Sequence, residues 1–532
     1  MNQRRVFLFL ALVAATLVTG AWLLRRGWSE SAVVYQKAQR FDDIIARVSD
    51  FYVDSLDEAA LYDMAIDGML LELGDPYTGF LRPDDLADLR ETTRGDYGGL
   101  GVRIEITNGW ITVITPLSGT PAEEAGIQSG DRIVEVDGES TRGWSADRAV
   151  SALRGDPGST VDIEVARAGL RSRLRFTIPR AQVHVTAVRY ADFVAPEIGY
   201  VHLETVSERS ASEVEAEVTR LRDAGARALV LDLRYNPGGL LDQGVAVTDL
   251  FLAAGMPVVR TQGRLRATSA TFSADLPERW EGMPLAVLVN EYSASAAEII
   301  AGALQDHDRA LLLGTTTFGK GLVQTIFQVS STEALRLTTS RWYTPSGRSI
   351  HRNRRTGATA GAPRVEQDGD ILPNPEFRTQ GGRVVVGGGG IHPDVVVRAD
   401  TLTTGERTFY RVLGSRLQAF RDVIDAYARE LKEEGISPEP ASFAVMSPMR
   451  DELLRRLRDR GVTMPATVWI GAQPAVDVAL RQRVLRYVFG RDTETQFQLA
   501  DDPVVRAAIE LLQQADTQEQ LFTAAMGNAP ER

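Results

Sequence analysis

Only three of the 59 lysines and arginines in this chain are lysine: Lys37, Lys320 and Lys432. Arginine keeps its proton at any working pH, whereas a desolvated lysine amine can lose its proton and act as a base. Lys37 and Lys432 fall in polar helical runs. Lys320 falls in GTTTFGKGLVQT, 314–325, a glycine loop between apolar strands. Gly314, Gly319 and Lys320 satisfy most of the phosphate-loop pattern G-x-x-x-x-G-K-[ST]. Gly321, however, stands where that pattern needs a hydroxyl for Mg²⁺. The residues that follow, LVQTIFQVS, alternate as a strand instead of opening a helix. Nucleotide chemistry is therefore set aside in favour of a lysine base.

Such a base needs a nucleophile. In NEYSASAAEIIAGALQD, 290–306, an apolar strand ends, a tight turn of small residues follows, and a helix begins near Ala296. Ser295 sits at that strand-to-helix turn, where unpaired helix N-terminal N–H groups can hold a developing oxyanion. Serine is also a common helix cap, so Ser293 and Ser295 divide the two roles in one order or the other. A second turn, DLRYNPGGLL (232–241), follows another apolar strand and brings Gly238 and Gly239 to the same sheet edge. Asn-Pro-Gly-Gly is equally a plain turn sequence.

Histidine does not displace Lys320 as the base. His307 closes the helix that Ser295 opens, roughly 16–18 Å along its axis. His202 lies on a strand and reads as a satisfied histidine. No histidine pair has zinc-ligand spacing. No metal or cofactor is expected, and the absence of cysteine removes thiol chemistry and disulfides.

These groups must be positioned by several domains, since 532 residues exceed one ordinary core. The stretch 6–24, VFLFLALVAATLVTGAWLL, is uncharged, is flanked by arginines and is long enough to span a bilayer. It predicts a membrane anchor within 1–29, with the bulk of the chain on the far side. Residues 30–95 read as helical. Residues 96–180 alternate as short strands broken by two helical stretches, a small half-open barrel. Residues 181–400 alternate strands and helices around a mixed sheet, with a polar, Gly-rich exposed insertion at 351–390. Residues 401–532 read as a helical extension whose amphipathic faces fit the body or another subunit. The fold class is multidomain α+β. A net charge of −12 argues against a general nucleic-acid binder.

The segment SASAAEIIAGALQDHDRALLLGTTTFGKGLVQT resembles the catalytic segment of the carboxy-terminal processing proteases, Ser–Lys peptidases of family S41. DLRYNPGGLL, YTPSGRSI (343–350) and GGIHPDVVV (389–397) fit as well, and the resemblance covers roughly 35–400. It implies Ser295 as nucleophile, Lys320 as base and Gln324 as the residue that orients the amine from the same strand face. It assigns the oxyanion hole to Ala296 with Gly238 or Gly239. Two features depart from the family pattern: the insertion, and Ala297 where a third serine is frequent. YGGLGVRIEI and SGTPAEEAGIQSGDRIVEVDG resemble a PDZ domain. Its Leu100, Gly101 and Val102 would bind a substrate C-terminus by an anion nest and strand addition. Arg154 is a candidate gating residue. The resemblance implies a protease of the bacterial inner membrane, facing the periplasm and acting on protein C-termini. Homo-oligomers through the helical ends and an adaptor protein are further expected partners. The competing class is a catalytically silent PDZ scaffold.

Overall fold

The computed structural model describes residues 35–352, 375–398, 402–435 and 443–527, apart from 108, 168, 169 and 171. The apolar stretch 6–24 and the middle of the polar insertion lie outside the described residues. Among those described, no helix is long and apolar enough to cross a membrane.

The chain divides into two units, and the division falls inside the strands Leu322–Gln328 and Ala334–Tyr343. In the smaller unit a helix over 35–51 meets the helix Glu58–Glu72 through the Phe41 and Tyr62 rings and a hydrogen bond from Tyr62 to Asp42. Asp57 caps the second helix by accepting from Ala60 N–H. Within the segment expected to be helical, Gly79–Leu81 forms a strand that pairs antiparallel with Ala334–Arg336.

The larger unit holds two β structures. The first is the expected small barrel. Its strands run in the order Val102–Thr107, Trp110–Pro116, Arg132–Val136, Thr160–Ala166 and Leu174–Pro179. The helices Pro121–Glu124 and Ala146–Leu153 pack with it around Leu100, Ile111, Ile133 and Ile163. A two-stranded ribbon, Asp96–Gly99 with Ala181–His184, joins this module to the rest.

The second is a six-stranded sheet. Its order is Val188–Ala195, Ile198–Leu203, Ala228–Asp232, Leu285–Val289, Leu311–Gly314 and Val395–Val396. The first pair is antiparallel and the others are parallel. The strand Leu285–Val289 at its centre is apolar and buried at every position because both faces are covered. Val201, Leu231, Val287 and Leu312 pack on one face with the helices Ser210–Asp223, Leu241–Asp249 and Ala296–Asp306. Tyr200, Val230, Leu288 and Leu313 pack on the other face with Val505, Ala508 and Leu512 of the helix Pro503–Leu512 and with Leu521 of the helix Gln518–Gly527.

The tail beyond 400 is thus two structures. Residues 404–489 build their own helical core around Phe409, Phe420, Leu453 and Val476. Residues 503–527 cover one face of the six-stranded sheet. The end of the insertion is also not simply exposed. Glu376–Arg378 and Val384–Val386 form a hairpin with Thr379 and Val385 buried. Its Arg383 pairs with Asp308 and Asp394 and lies over the Phe522 ring, so charge neutralisation draws the hairpin inward.

Leu512→Ala should lower stability by about 2–5 kcal/mol, read as a lower denaturation midpoint. Val478→Ala, on an exposed face of the 404–489 bundle, should change it by less than about 0.5 kcal/mol.

Candidate active site

The strand Leu285–Val289 is buried along its whole length and delivers the chain to Asn290. The Asn290 side-chain oxygen accepts from Tyr235 N–H at 3.0 Å and Tyr292 N–H at 3.1 Å, which ties two turns together. Ser293 is fully buried; its hydroxyl donates to the Leu233 carbonyl at 2.8 Å and accepts from Asn290 N–H at 3.0 Å. Ser293 is therefore the fastener. Ser295 is half-buried and stands at the N-cap of the Ala296–Asp306 helix. Its backbone, at φ 55° and ψ −115°, lies where non-glycine residues are rarely found. Such a conformation costs of order 1–3 kcal/mol and is held only by its surroundings.

The surroundings centre on Glu298. This glutamate is fully buried, and four donors point at its carboxylate. One oxygen accepts from the Thr317 hydroxyl at 2.5 Å and Gly319 N–H at 2.7 Å. The other accepts from Ser295 N–H at 2.8 Å and Lys320 N–H at 2.9 Å. The backbones of the serine turn and the lysine loop thus converge on one oxygen atom. Phe318 N–H adds a bond to the Ser293 carbonyl at 3.0 Å, and the Trp342 indole donates to the Lys320 carbonyl at 3.0 Å. Lys320 itself is half-buried. Burial pushes the Glu298 carboxyl above the usual range, against the pull of its four hydrogen bonds.

The glycine turn abuts the same serine. A Cβ on Gly238 would lie 2.8 Å from both Ala296 N and Ser295 Cβ, and φ there is 89°. Only glycine permits that approach. Ala294 N–H donates to the Asn236 carbonyl at 2.9 Å, locking turn to turn. The Gly238 N–H already donates to the Asn236 side-chain oxygen at 2.8 Å. Gly239 packs on Val206, where a Cβ would overlap the Val206 carbonyl.

Gln324 belongs to the smaller unit, where its amide donates to the Thr338 hydroxyl at 3.4 Å. The strand begins only at Leu322, so Lys320 lies in the loop before it and the shared-face argument for Gln324 does not apply. In the small barrel, the carbonyls of Leu100 and Gly101 accept from Ala122 and Leu117 N–H at 2.9 and 2.8 Å. Val102 opens the strand at the end of that sheet's order. Gly101 has φ 74°, and a Cβ there would overlap Thr120. Arg154 ends the Ala146–Leu153 helix, pairs with Glu91 at 2.5 Å and lies over the Tyr97 ring. It lines a cleft of about 880 Å³ together with Tyr235 and Pro237 of the glycine turn. Among the described residues no acidic, histidine or cysteine cluster could hold a metal ion.

Sequence reasoning did not single out Glu298, Asn236 or Asn290. The signal for Glu298 was present: Ser295-Ala-Ala-Glu298 has the S-x-x-E spacing of a capping box. What no spacing shows is that the same carboxylate also reaches the lysine loop.

The model for peptidase family S41 matches residues 197–359, and a PDZ domain model matches 112–167. The chain is 40% identical over 353 residues to a carboxy-terminal-processing protease of Bartonella bacilliformis, covering 65% of this chain and 80% of that one. It is 32% identical over 360 residues to the carboxy-terminal processing protease CtpA of Bacillus subtilis, covering 66% and 76%. Among solved structures, a photosystem II D1 C-terminal processing protease matches at 31% identity, with a TM-score of 0.37, covering 70% and 90%.

Glu298→Gln replaces one acceptor oxygen by an amide that faces two N–H or O–H donors. Each donor left unsatisfied costs about 1–3 kcal/mol, so proteolysis should fall at least tenfold. Because the folded carboxyl is raised, ionising it weakens the fold as pH climbs from the ordinary glutamate range through its own pKa. The stability advantage of wild type over Glu298→Gln should therefore shrink across that window in denaturation curves measured at several pH values.

Proposed function

Since the chain belongs to the carboxy-terminal-processing proteases of peptidase family S41 and carries a PDZ domain, we propose that it cleaves proteins by a Ser295–Lys320 dyad. The observation that carries this reading is the single Glu298 oxygen shared by the Ser295 and Lys320 N–H groups. That oxygen ties the backbones of the serine turn and the lysine loop together. Lys320 takes the Ser295 hydroxyl proton, and the oxygen attacks the substrate carbonyl. The carbonyl carbon becomes tetrahedral. Ala296 N–H, at the helix N-terminus, receives the oxyanion, with Gly239 as the second donor, because the Gly238 N–H is already given to the Asn236 side chain. The proton held by Lys320 passes to the leaving amine as the peptide bond breaks, and water then hydrolyses the Ser295 ester. The family resemblance alone assigns Gln324 to orienting the lysine.

The substrates are polypeptides with free C-termini. Leu100, Gly101 and Val102 commit two of their carbonyls inward, which suits their N–H groups to a terminal carboxylate. The Val102–Thr107 strand offers backbone for an added peptide strand. Residues 6–24 anchor the protein in a bacterial inner membrane, with the catalytic part facing the periplasm and envelope proteins as substrates. Homo-oligomers through the helical ends and an adaptor that delivers substrate complete the proposal.

Ser295→Ala and Lys320→Arg should each abolish casein cleavage by the purified protein while leaving circular dichroism and the thermal midpoint unchanged. Activity kept in Lys320→Arg rules out the base role, because guanidinium cannot deprotonate here. A wild type without activity on any unfolded protein favours the silent PDZ scaffold. A peptide ending in a carboxylate should be cleaved faster than the same peptide amidated. With Arg154 as a gate, Arg154→Ala should narrow that difference, and equal rates on both peptides in wild type would refute C-terminal recognition.

A further inference from the structure

The glycine turn beside Ser295 is rooted in a buried charge cluster whose last member comes from the far end of the chain. Asp232 ends its strand, and Arg234 starts the turn. The Arg234 guanidinium meets both Asp232 oxygens, at 3.0 Å through Nε and 2.7 Å through Nη2. Tyr200 donates its hydroxyl to the same carboxylate at 2.7 Å. Side-chain exposure is 13% for Arg234 and 2% for Asp232, so neither charge has water to rely on. That pairing occupies one edge of the guanidinium. The other edge, Nη1, donates to Asp502 Oδ2 at 2.7 Å, across 268 residues of sequence.

Asp502 has two tasks on two oxygens. Its Oδ1 caps the Pro503–Leu512 helix by accepting from Val504 and Val505 N–H at 2.8 and 3.2 Å. Its Oδ2 holds Arg234. The helix it caps is seated on the sheet by Val504, Val505, Ala508 and Leu512, so the carboxylate is delivered by a packed element and not by a loose tail. Three residues beyond Arg234, the chain reaches Pro237 and then Gly238, which touches Ser295 and Ala296. The intervening Tyr235 sits at φ 62°, a strained position that its anchors must maintain.

We propose that Asp502 is a positioning residue for catalysis. It completes the charge pairing of Arg234 and so holds the glycine turn against the nucleophile. It follows that the active site is assembled only once the C-terminal helices have docked on the sheet, and that a chain lacking them is inactive. This inference rests on Ser295 being the nucleophile.

The test uses the full chain and two substitutions that keep the helix cap but remove the negative charge, Asp502→Asn and Asp502→Ser. A fluorophosphonate probe labels an activated serine, and mass spectrometry locates the label. In both variants the labelling rate and kcat should fall at least tenfold, with KM and the thermal midpoint unchanged. Gln496→Ala, which removes a tail contact to Asp192 away from Arg234, should behave as wild type. Wild-type rates in the Asp502 variants overturn the inference, as does a loss that follows a fall in thermal midpoint and disappears on cooling. An equal loss in Gln496→Ala also overturns it, by reducing the tail to packing. A wild type that is not labelled at Ser295 sinks the dyad reading, and this inference with it. A labelled wild type with unaffected Asp502 variants sinks the inference alone.

Discussion

The Glu298 carboxylate, wholly removed from water, accepts four hydrogen bonds from two chain segments, and the geometry of the site depends on it. A buried charge of this kind is tolerable only when its lone pairs are filled. The filling groups here are the Ser295, Gly319 and Lys320 N–H groups and the Thr317 hydroxyl. The desolvation cost is offset by bonds that also fix the Ser295 turn in a conformation it would not adopt alone. The carboxylate holds the Ser295 and Lys320 segments through their backbone N–H groups.

A fastened pair of loops needs a rigid platform. Parallel strands with apolar side chains on both faces provide it only if both faces are covered. One face is covered by the expected crossover helices. The other is covered by residues 503–527, from the end of the chain. The tail also carries Asp502 to Arg234, so the layer that closes the core brings a charge to the root of the glycine turn. One helix thus both packs on the sheet and presents a carboxylate to Arg234.

Much of this was legible in sequence. The switch from alternating strands to strand–helix rhythm marked the small barrel and the main sheet, because side-chain period follows backbone geometry. The strand-to-helix turn at Ser295 and the strand after Lys320 were legible for the same reason. The fastening role of Ser293 was not, since Ser293 and Ser295 are both small hydroxyls within one turn. It emerged only when the Ser293 hydroxyl was found bonded to Leu233 and Asn290. The hairpin at 376–386 was hidden in a polar, glycine-rich stretch, because what seats it is the pairing of Arg383 with distant carboxylates.

By itself the sequence determined the residue types able to do chemistry, the local elements carrying them and the family they belong to. Those follow from side-chain chemistry, from backbone preference and from motifs contiguous in the chain. The tertiary structure alone decided that Glu298 bridges two loops, that the Gly238 N–H is engaged by Asn236, and that Asp502 reaches Arg234. Each of these is a contact whose partners are drawn together by burial of apolar surface elsewhere, and such burial leaves no local pattern at the residues it brings into contact.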